Sequence, residues 1–383
     1  MRVLLTTTAG SGHFGPMIPF ATAWQAAGHE IAVAAPASFR EPVERAGFDF
    51  RPFADAPQDQ LDAVFSTLHA VSVEEGNIRV VRDVFATIDA SAALPGVNEV
   101  IAEWRPDIVV RESCEFAAYV AAERHELPQF RIGAGFASFE EAMVAHCETT
   151  LNALRQSVGL EPDLGLRRLQ ASPRLTTLPA SADDATGVAS QRFSEKPGDA
   201  PQALPDWWGG ATDPLVYVSF GTVAAGLGMF PDLYLAAAGA LADVKARILM
   251  TTGGSADPAA LGALPPNVHV ERWCDEGQVL PQASVVVGHG GFGTLLRILA
   301  AGVPMVAFPL FGDQGYNARR VDETGIGIAL DGGPDAIGEL GDAVKRVLGD
   351  PAFGSAAHRV AEEMRSQPDV STSTDLLFRA TRP

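Results

Sequence analysis

The chain has 383 residues, 47% of them hydrophobic and 20% charged, with a net charge of −19 at pH 7. Its isoelectric point is near 4.8. That length and apolar content suffice for two domains of ordinary size, while the negative field disfavours nucleic acid and anionic membranes as partners.

In chain order, Val3–Thr7 reads as a strand and Pro16 to Ala27 as a helix with proline in its first turn. Strands follow at Ile31–Ala35, Ile108–Val110 and Phe130–Ile132, with a helix at Glu115–His125 between the last two. This β-α-β rhythm implies a parallel sheet with helices on both faces. Residues 54–77 mix polar and aromatic side chains and read as a long mobile insertion. From Leu178 to Pro214 proline, glycine and polar residues dominate, which marks a linker. A second run of strands comes at Leu215–Ser219, Arg247–Thr251, Val268–Arg272, Val285–Gly288 and Met305–Phe308. Helical patterns close the chain at Asp335–Leu348, Ala356–Met364 and Asp375–Arg379.

The expected fold is α/β, two doubly wound Rossmann-like domains facing across a cleft. Such sheets place ligand sites at the carboxyl ends of their strands. The expected division is residues 1–190, a linker at 191–213, a second domain at 214–366, and a terminal segment at 367–383. Cys114, Cys147 and Cys274 form no C-x-x-C pair and fit a reducing compartment. The N-terminal apolar run is shorter than a signal peptide requires. The longest charge-free apolar stretch falls short of the roughly 20 residues of a spanning helix. A soluble, cytoplasmic protein is expected.

The richest stretch is Val285–Ala318. Three β-branched valines lead into Gly288, His289, Gly290, Gly291 and Gly293, and Thr294 then opens a helix. Glycines admit a close backbone approach, and a helix N-terminus supplies free N–H groups and a positive dipole end. That combination holds phosphate without a metal. Asp313 and Gln314 follow the next strand with side chains suited to sugar hydroxyls. A nucleotide-sugar is the ligand this suggests.

The opening loop holds Gly10, Gly12 and Gly15 in a G-x-G-x-x-G spacing, but the second strand ends Ala34-Ala35-Pro36-Ala37, without the acid that a dinucleotide ribose needs. His13 on the same turn is placed to take a proton from a hydroxyl. A histidine that simply caps the following helix is the competing reading. A base histidine needs an orienting acid. Glu112 comes first and Glu115 second, and either could instead cap the helix through Tyr119. Ser219, Gly221 and Thr222 end a strand in a small polar turn with donors for a phosphate or sugar. Trp273 follows another strand and could stack on a nucleobase or belong to the core. No Asp-x-Asp, H-x-x-x-H, Walker or G-x-S-x-G pattern occurs.

Together these residues give a resemblance that spans essentially the whole chain. The anchors are Gly12-His13-Phe14-Gly15-Pro16, Ser219-Phe220-Gly221-Thr222, Trp273, His289-Gly290-Gly291-Phe292-Gly293-Thr294, Gly302-Val303-Pro304 and Asp313-Gln314, with Asn317 behind. The chain resembles the GT-B, inverting family 1 glycosyltransferases, and among them the bacterial natural-product enzymes.

The resemblance implies an N-terminal acceptor domain and a C-terminal nucleotide-sugar domain. His13 matches the base and Glu112 its acidic partner. Trp273 matches the base-stacking tryptophan and His289 the phosphate-binding histidine. Gly291, Gly293 and Thr294 match the diphosphate turn, and Ser219, Gly221 and Thr222 its neighbours. Asp313 and Gln314 match the pair that holds sugar hydroxyls. The last helix is implied to cross back onto the N-terminal domain. No metal or other cofactor is expected. The expected partners are a nucleotide-sugar donor, a hydrophobic small-molecule acceptor and, as an option, a second copy in a homodimer. The segments 54–77 and 136–158 are expected to shape the acceptor pocket.

Three departures stand out. Cys274-Asp275-Glu276 replaces the Val-Pro-Gln common after the tryptophan, and Arg297 stands where many relatives carry a ribose-binding glutamate. Arg111-Glu112 stands where relatives often have aspartate. The missing ribose acid predicts a dTDP-sugar over a UDP-sugar. Alternatives are a sugar-nucleotide epimerase of the same architecture, a non-catalytic nucleotide-sugar-binding protein and, remotely, an NAD(P) oxidoreductase.

Overall fold

A computed structural model describes residues 1–184, 189–195, 202–254 and 256–381. Two compact units emerge: residues 1–195 with 367–383, and residues 196–366.

In the first unit seven parallel strands lie in the order β3-β2-β1-β4-β5-β6-β7. They are β1 (Arg2–Thr6), β2 (Glu30–Pro36), β3 (Asp49–Phe53), β4 (Ile108–Glu112), β5 (Gln129–Ile132), β6 (Arg174–Thr176) and β7 (Ser190–Arg192). The sheet is buried on both faces, as the two-residue side-chain period shows. Val3 and Leu5 pack with Phe20, Trp24 and Leu377 on one face. Leu4 packs with Val97, Ile101 and Tyr119 on the other. The terminal helix Thr374–Ala380 thus belongs to the first unit's core, and Trp24 Nε1 donates to Ser373 Oγ at 2.8 Å beside it.

The second unit has six parallel strands in the order β10-β9-β8-β11-β12-β13. They are β8 (Leu215–Ser219), β9 (Arg247–Thr251), β10 (Val268–Glu271), β11 (Val285–Gly288), β12 (Met305–Ala307) and β13 (Gly327–Ala329). Each unit reverses its strand order once, at β1/β4 and at β8/β11, and a doubly wound sheet offers its ligand crevice at that switch point.

Two expectations need correcting. Residues 54–77 are not an irregular insertion: helices run from Gln58 to Phe65 and from Val73 to Arg79. The second continues through a π-helical stretch, Val80–Asp89, into the helix Ala90–Trp104. The stretch 191–213 is also not all linker. Its first residues complete β7, which pairs with β6 from Arg174↔Ser190 to Thr176↔Arg192. At its far end Trp207 stacks on His269 with ring centroids 4.5 Å apart, and Trp208 Nε1 donates to the Asn267 carbonyl. Residues 196–201 of that stretch lie outside the described residues. Among the described residues no helix is long and apolar enough to cross a membrane.

Candidate active site

In the first unit the chain leaves β1 at Thr6, turns at Gly10 with φ of 131°, and enters a helical turn, Ser11–Phe14, that carries His13. The positive φ is a conformation that favours glycine. β4 lies beside β1, with Thr6 opposite Arg111. Its last residue, Glu112, is therefore delivered to the same edge, fully buried. His13 Nδ1 stands 3.3 Å from Glu112 Oε2. Glu112 is held by two further donors, the Thr8 hydroxyl at 3.1 Å and the Cys114 N–H at 2.7 Å. Burial alone would raise the Glu112 pKa, but His13 and these donors outweigh it and hold the group below its ordinary value. It is an ionised carboxylate with a fixed orientation.

Glu115, the second candidate, does other work. Its carboxylate accepts from the Ala117 N–H at 3.0 Å and the Ala118 N–H at 3.1 Å, at the start of the helix Ala117–Arg124. Burial pushes its pKa up to about 7.

The π-helical stretch sets Phe85 edge-on to the His13 ring, with centroids 5.1 Å apart. One turn on is Asp89, which the sequence reading missed. The available signal was an acid within the run Ala86 to Ala93, where Ala86, Ala90 and Ala93 are buried. A cavity of about 500 Å³ opens here, lined in part by Thr8, Phe53, Leu61, Phe85, Asp89 and Cys114. Residues of 54–77 contribute to it, but the segment 136–158 does not. That segment packs Met143, Val144 and Leu151 into the core and lines a separate cavity of about 860 Å³.

In the second unit every expected donor residue falls at the carboxyl edge of the sheet. Ser219 ends β8 opposite Gly288, which ends β11. The helix after β11 begins at Phe292, two residues before the expected Thr294, with Gly291 as its cap. Gly293 and Thr294 therefore lie inside the first turn, where N–H groups lack intrahelical acceptors. The Leu295 N–H closes the first turn on the Gly291 carbonyl at 2.9 Å.

His289 is packed between two glycines. A Cβ at Gly221 would stand 2.7 Å from its Cε1, and one at Gly291 would overlap its Nε2. Both glycines are thus explained by the imidazole they admit. Burial is the main force on His289 and takes its pKa down to about 4, against partial opposition from the Ser219 backbone. Arg297 adds to the lowering. The ring is neutral at pH 7 and offers an N–H donor without a charge.

Asp313 and Gln314 open the helix Gln314–Glu323. The Gln314 Oε1 is committed, accepting from the Leu310 and Phe311 N–H groups at 2.9 and 3.1 Å. Only its amide N–H groups can serve a sugar. Asn317 Nδ2 ties the two turns together, donating to the Gly290 carbonyl and to Asp313 Oδ2, both at 2.8 Å. Trp273 is 69% exposed, which removes the core reading for it. Thr222 is exposed on its turn. Arg297 forms an ion pair with Glu276. The departures at 276 and 297 therefore meet in one ion pair.

The side chains that come nearest to a metal cluster among the described residues are His13, Glu112 and Cys114, with donor atoms within 4.8 Å of one another. Burial and the neighbouring Glu112 and Glu140 carboxylates keep the Cys114 thiol well above its ordinary pKa and hence protonated. A hard cation that bridges phosphates wants several oxygen ligands, and of these three only Glu112 offers oxygen.

Residues 22–216 match the N-terminal domain of the erythromycin biosynthesis protein CIII-like family, and residues 236–375 match its C-terminal domain. The chain belongs to the erythromycin biosynthesis protein CIII-like glycosyltransferases. It is 32% identical to the elloramycin glycosyltransferase ElmGT of Streptomyces olivaceus, over 96% of this chain and 94% of that one. It is 27% identical to the TDP-daunosamine transferase DnrS of Streptomyces peucetius, over 96% and 94% of the two chains. The crystal structure of the glycosyltransferase SnogD from Streptomyces nogalater superposes with a TM-score of 0.76 at 27% identity, covering 99% of each chain. The fold is GT-B and the enzyme is a natural-product glycosyltransferase. The epimerase, accessory-protein and oxidoreductase readings give way to it.

Proposed function

We propose that the enzyme transfers a deoxysugar from a dTDP donor to a nucleophilic group on a hydrophobic aglycone, with inversion and without a metal ion. The observation that carries this reading is the contact of His13 Nδ1 with the anchored Glu112 carboxylate at 3.3 Å. It fixes the ring so that Nε2 is the nitrogen that meets an acceptor hydroxyl. In the reaction the acceptor oxygen attacks the anomeric carbon as its proton passes to His13. The bond from that carbon to the diphosphate oxygen breaks, and the electron pair leaves with the diphosphate. Attack opposite the leaving group gives inversion.

On the donor side, the N–H groups of the first turn of helix Phe292–Ala301 and the neutral His289 face the growing negative charge. Preorganised donors of this kind can replace a cation. Trp273 stacks on the base, Ser219, Gly221 and Thr222 flank the diphosphate, and Asp313 with the Gln314 amide holds sugar hydroxyls. Arg297 supports the dTDP preference, because its partner Glu276 is neutralised and Arg297 itself cannot accept from a ribose 2′-hydroxyl. The TDP-sugar in the name of the relative DnrS points the same way.

A single panel tests the reading. Thermal shifts with TDP, UDP and GDP are compared in wild type and Arg297→Glu, with EDTA and with Mg²⁺. TDP is expected to stabilise most, EDTA to change nothing, and Arg297→Glu to narrow the gap to UDP. A preference for UDP of about tenfold or more, which is about 1.4 kcal/mol, overturns the donor assignment.

A further inference from the structure

The cavity beside His13 has a one-sided chemistry. Its walls are apolar, with Phe53, Leu61, Phe65, Val84, Phe85 and Phe116 prominent. Among the described residues its charged members are all carboxylates, Asp55, Asp89 and Glu115, and no lysine, arginine or histidine lines it. Two of the three are occupied. Asp55 accepts from the Ser38 N–H at 3.1 Å and from the Ser38 hydroxyl. Glu115 holds the start of the helix Ala117–Arg124.

Asp89 is different. It precedes the helix Ala90–Trp104 without capping it through its side chain, and no hydrogen bond or ion pair engages its carboxylate among the described residues. Burial raises its pKa to about 6, with His13 pulling it down and Glu112 pushing it up. Asp89 is half-buried beside the cavity, and a ligand O–H or N–H placed there would take over from water the hydrogen bond that its carboxylate can accept. The position is close to the chemistry: Thr8 and Cys114, which line the same cavity, are the residues that hold Glu112.

We propose that Asp89 is a specificity-determining residue that accepts a hydrogen bond from a hydroxyl or ammonium group on the acceptor. The cavity accordingly takes neutral or cationic hydrophobic acceptors and rejects anionic ones. This rests on reading the first unit as the acceptor domain. Asp89 differs from the base in role: it binds the acceptor through a group other than the reacting hydroxyl. An anionic acceptor would bring a further negative charge to a low-dielectric site that holds three carboxylates already.

The test uses the full-length protein and three 2-naphthols that differ only at position 6, bearing hydroxymethyl, aminomethyl or carboxylate groups. Binding is measured calorimetrically at low ionic strength, where charge effects are least screened. Wild type is expected to bind the aminomethyl compound best and the carboxylate worst, by about tenfold or more, as one uncompensated charge contact implies. Asp89→Asn is expected to bring the three compounds to within about threefold while TDP still raises the melting temperature, which shows that the variant is folded. Unchanged discrimination in Asp89→Asn overturns the assignment of Asp89 alone. Failure of all three to bind either protein, with TDP still bound, overturns the acceptor-domain reading and the proposal with it.

Discussion

His13 and His289 occupy comparable places: each follows a parallel strand at a switch point of a doubly wound sheet, and each sits in a glycine-bearing turn. Their surroundings make them chemically opposite. His13 lies against an ionised carboxylate that Thr8 and the Cys114 N–H hold in place. His289 is wedged between Gly221 and Gly291, and the charged group acting on it is Arg297. A carboxylate partner favours the imidazolium that forms when a base accepts a proton. Burial beside a cation forbids it and leaves a neutral donor. In the proposed reaction the same residue type on the same kind of turn thus serves proton transfer in one unit and leaving-group stabilisation in the other.

The contrast breaks most sharply at Glu112. Glu112→Gln keeps the shape of the side chain but removes the charge that the imidazolium needs. The expected loss in kcat is about 100-fold or more, within the range for general-base catalysis, with TDP affinity unchanged. A loss confined to KM would show that Glu112 serves binding and not proton transfer.

A smaller effect is expected at Gly291, where φ is −60° and alanine meets no backbone strain. Its Cβ would overlap His289 Nε2. Gly291→Ala therefore probes the packing of the imidazole against its turn without backbone strain, unlike Gly221, whose φ of 79° would add strain of its own. TDP affinity is expected to fall by about tenfold, or 1.4 kcal/mol, as read by calorimetry. Wild-type affinity would mean that the ring can shift without loss and is not a diphosphate contact.

How far the sequence announces all this depends on what each element buries. Val285–Val287 is fully buried and β-branched, and β11 runs where it was expected. β6 was missed because Arg174 lies fully buried inside it, neutralised by Glu140 and Asp183, which no hydropathy pattern can show. β3 was missed because it is an edge strand with Pro52 in it, and an edge tolerates proline. The helix Gln58–Phe65 buries none of its residues, because its apolar Leu61 and Phe65 line the cavity and do not pack into the core. The His13–Glu112 contact was legible because both residues end or follow neighbouring strands. The pairing of Arg297 with Glu276 joins residues 21 apart on separate helices, and the open carboxylate of Asp89 depends on what fails to approach it. Both exist only once the chain has folded.

The mildest prediction concerns pH and the His289 side of the contrast. An unfolded histidine titrates near 6.5, and folded His289 near 4. Between those values the unfolded chain binds a proton that the folded chain refuses, so this group lowers stability as pH falls from about 7 toward 4. Asp89 and Glu115 act in the opposite sense, since their raised values make the folded state the better proton acceptor. Total stability against pH would therefore mix the two. The difference between wild type and His289→Gln isolates the histidine, because the carboxylates are common to both. Wild type is expected to lose more melting temperature than the variant between pH 7 and pH 4.5, by several degrees, at about 2–4 °C per kcal/mol for a domain of this size. Parallel curves would mean that His289 can be protonated in place, and a charged imidazole would then meet the diphosphate as an ion pair.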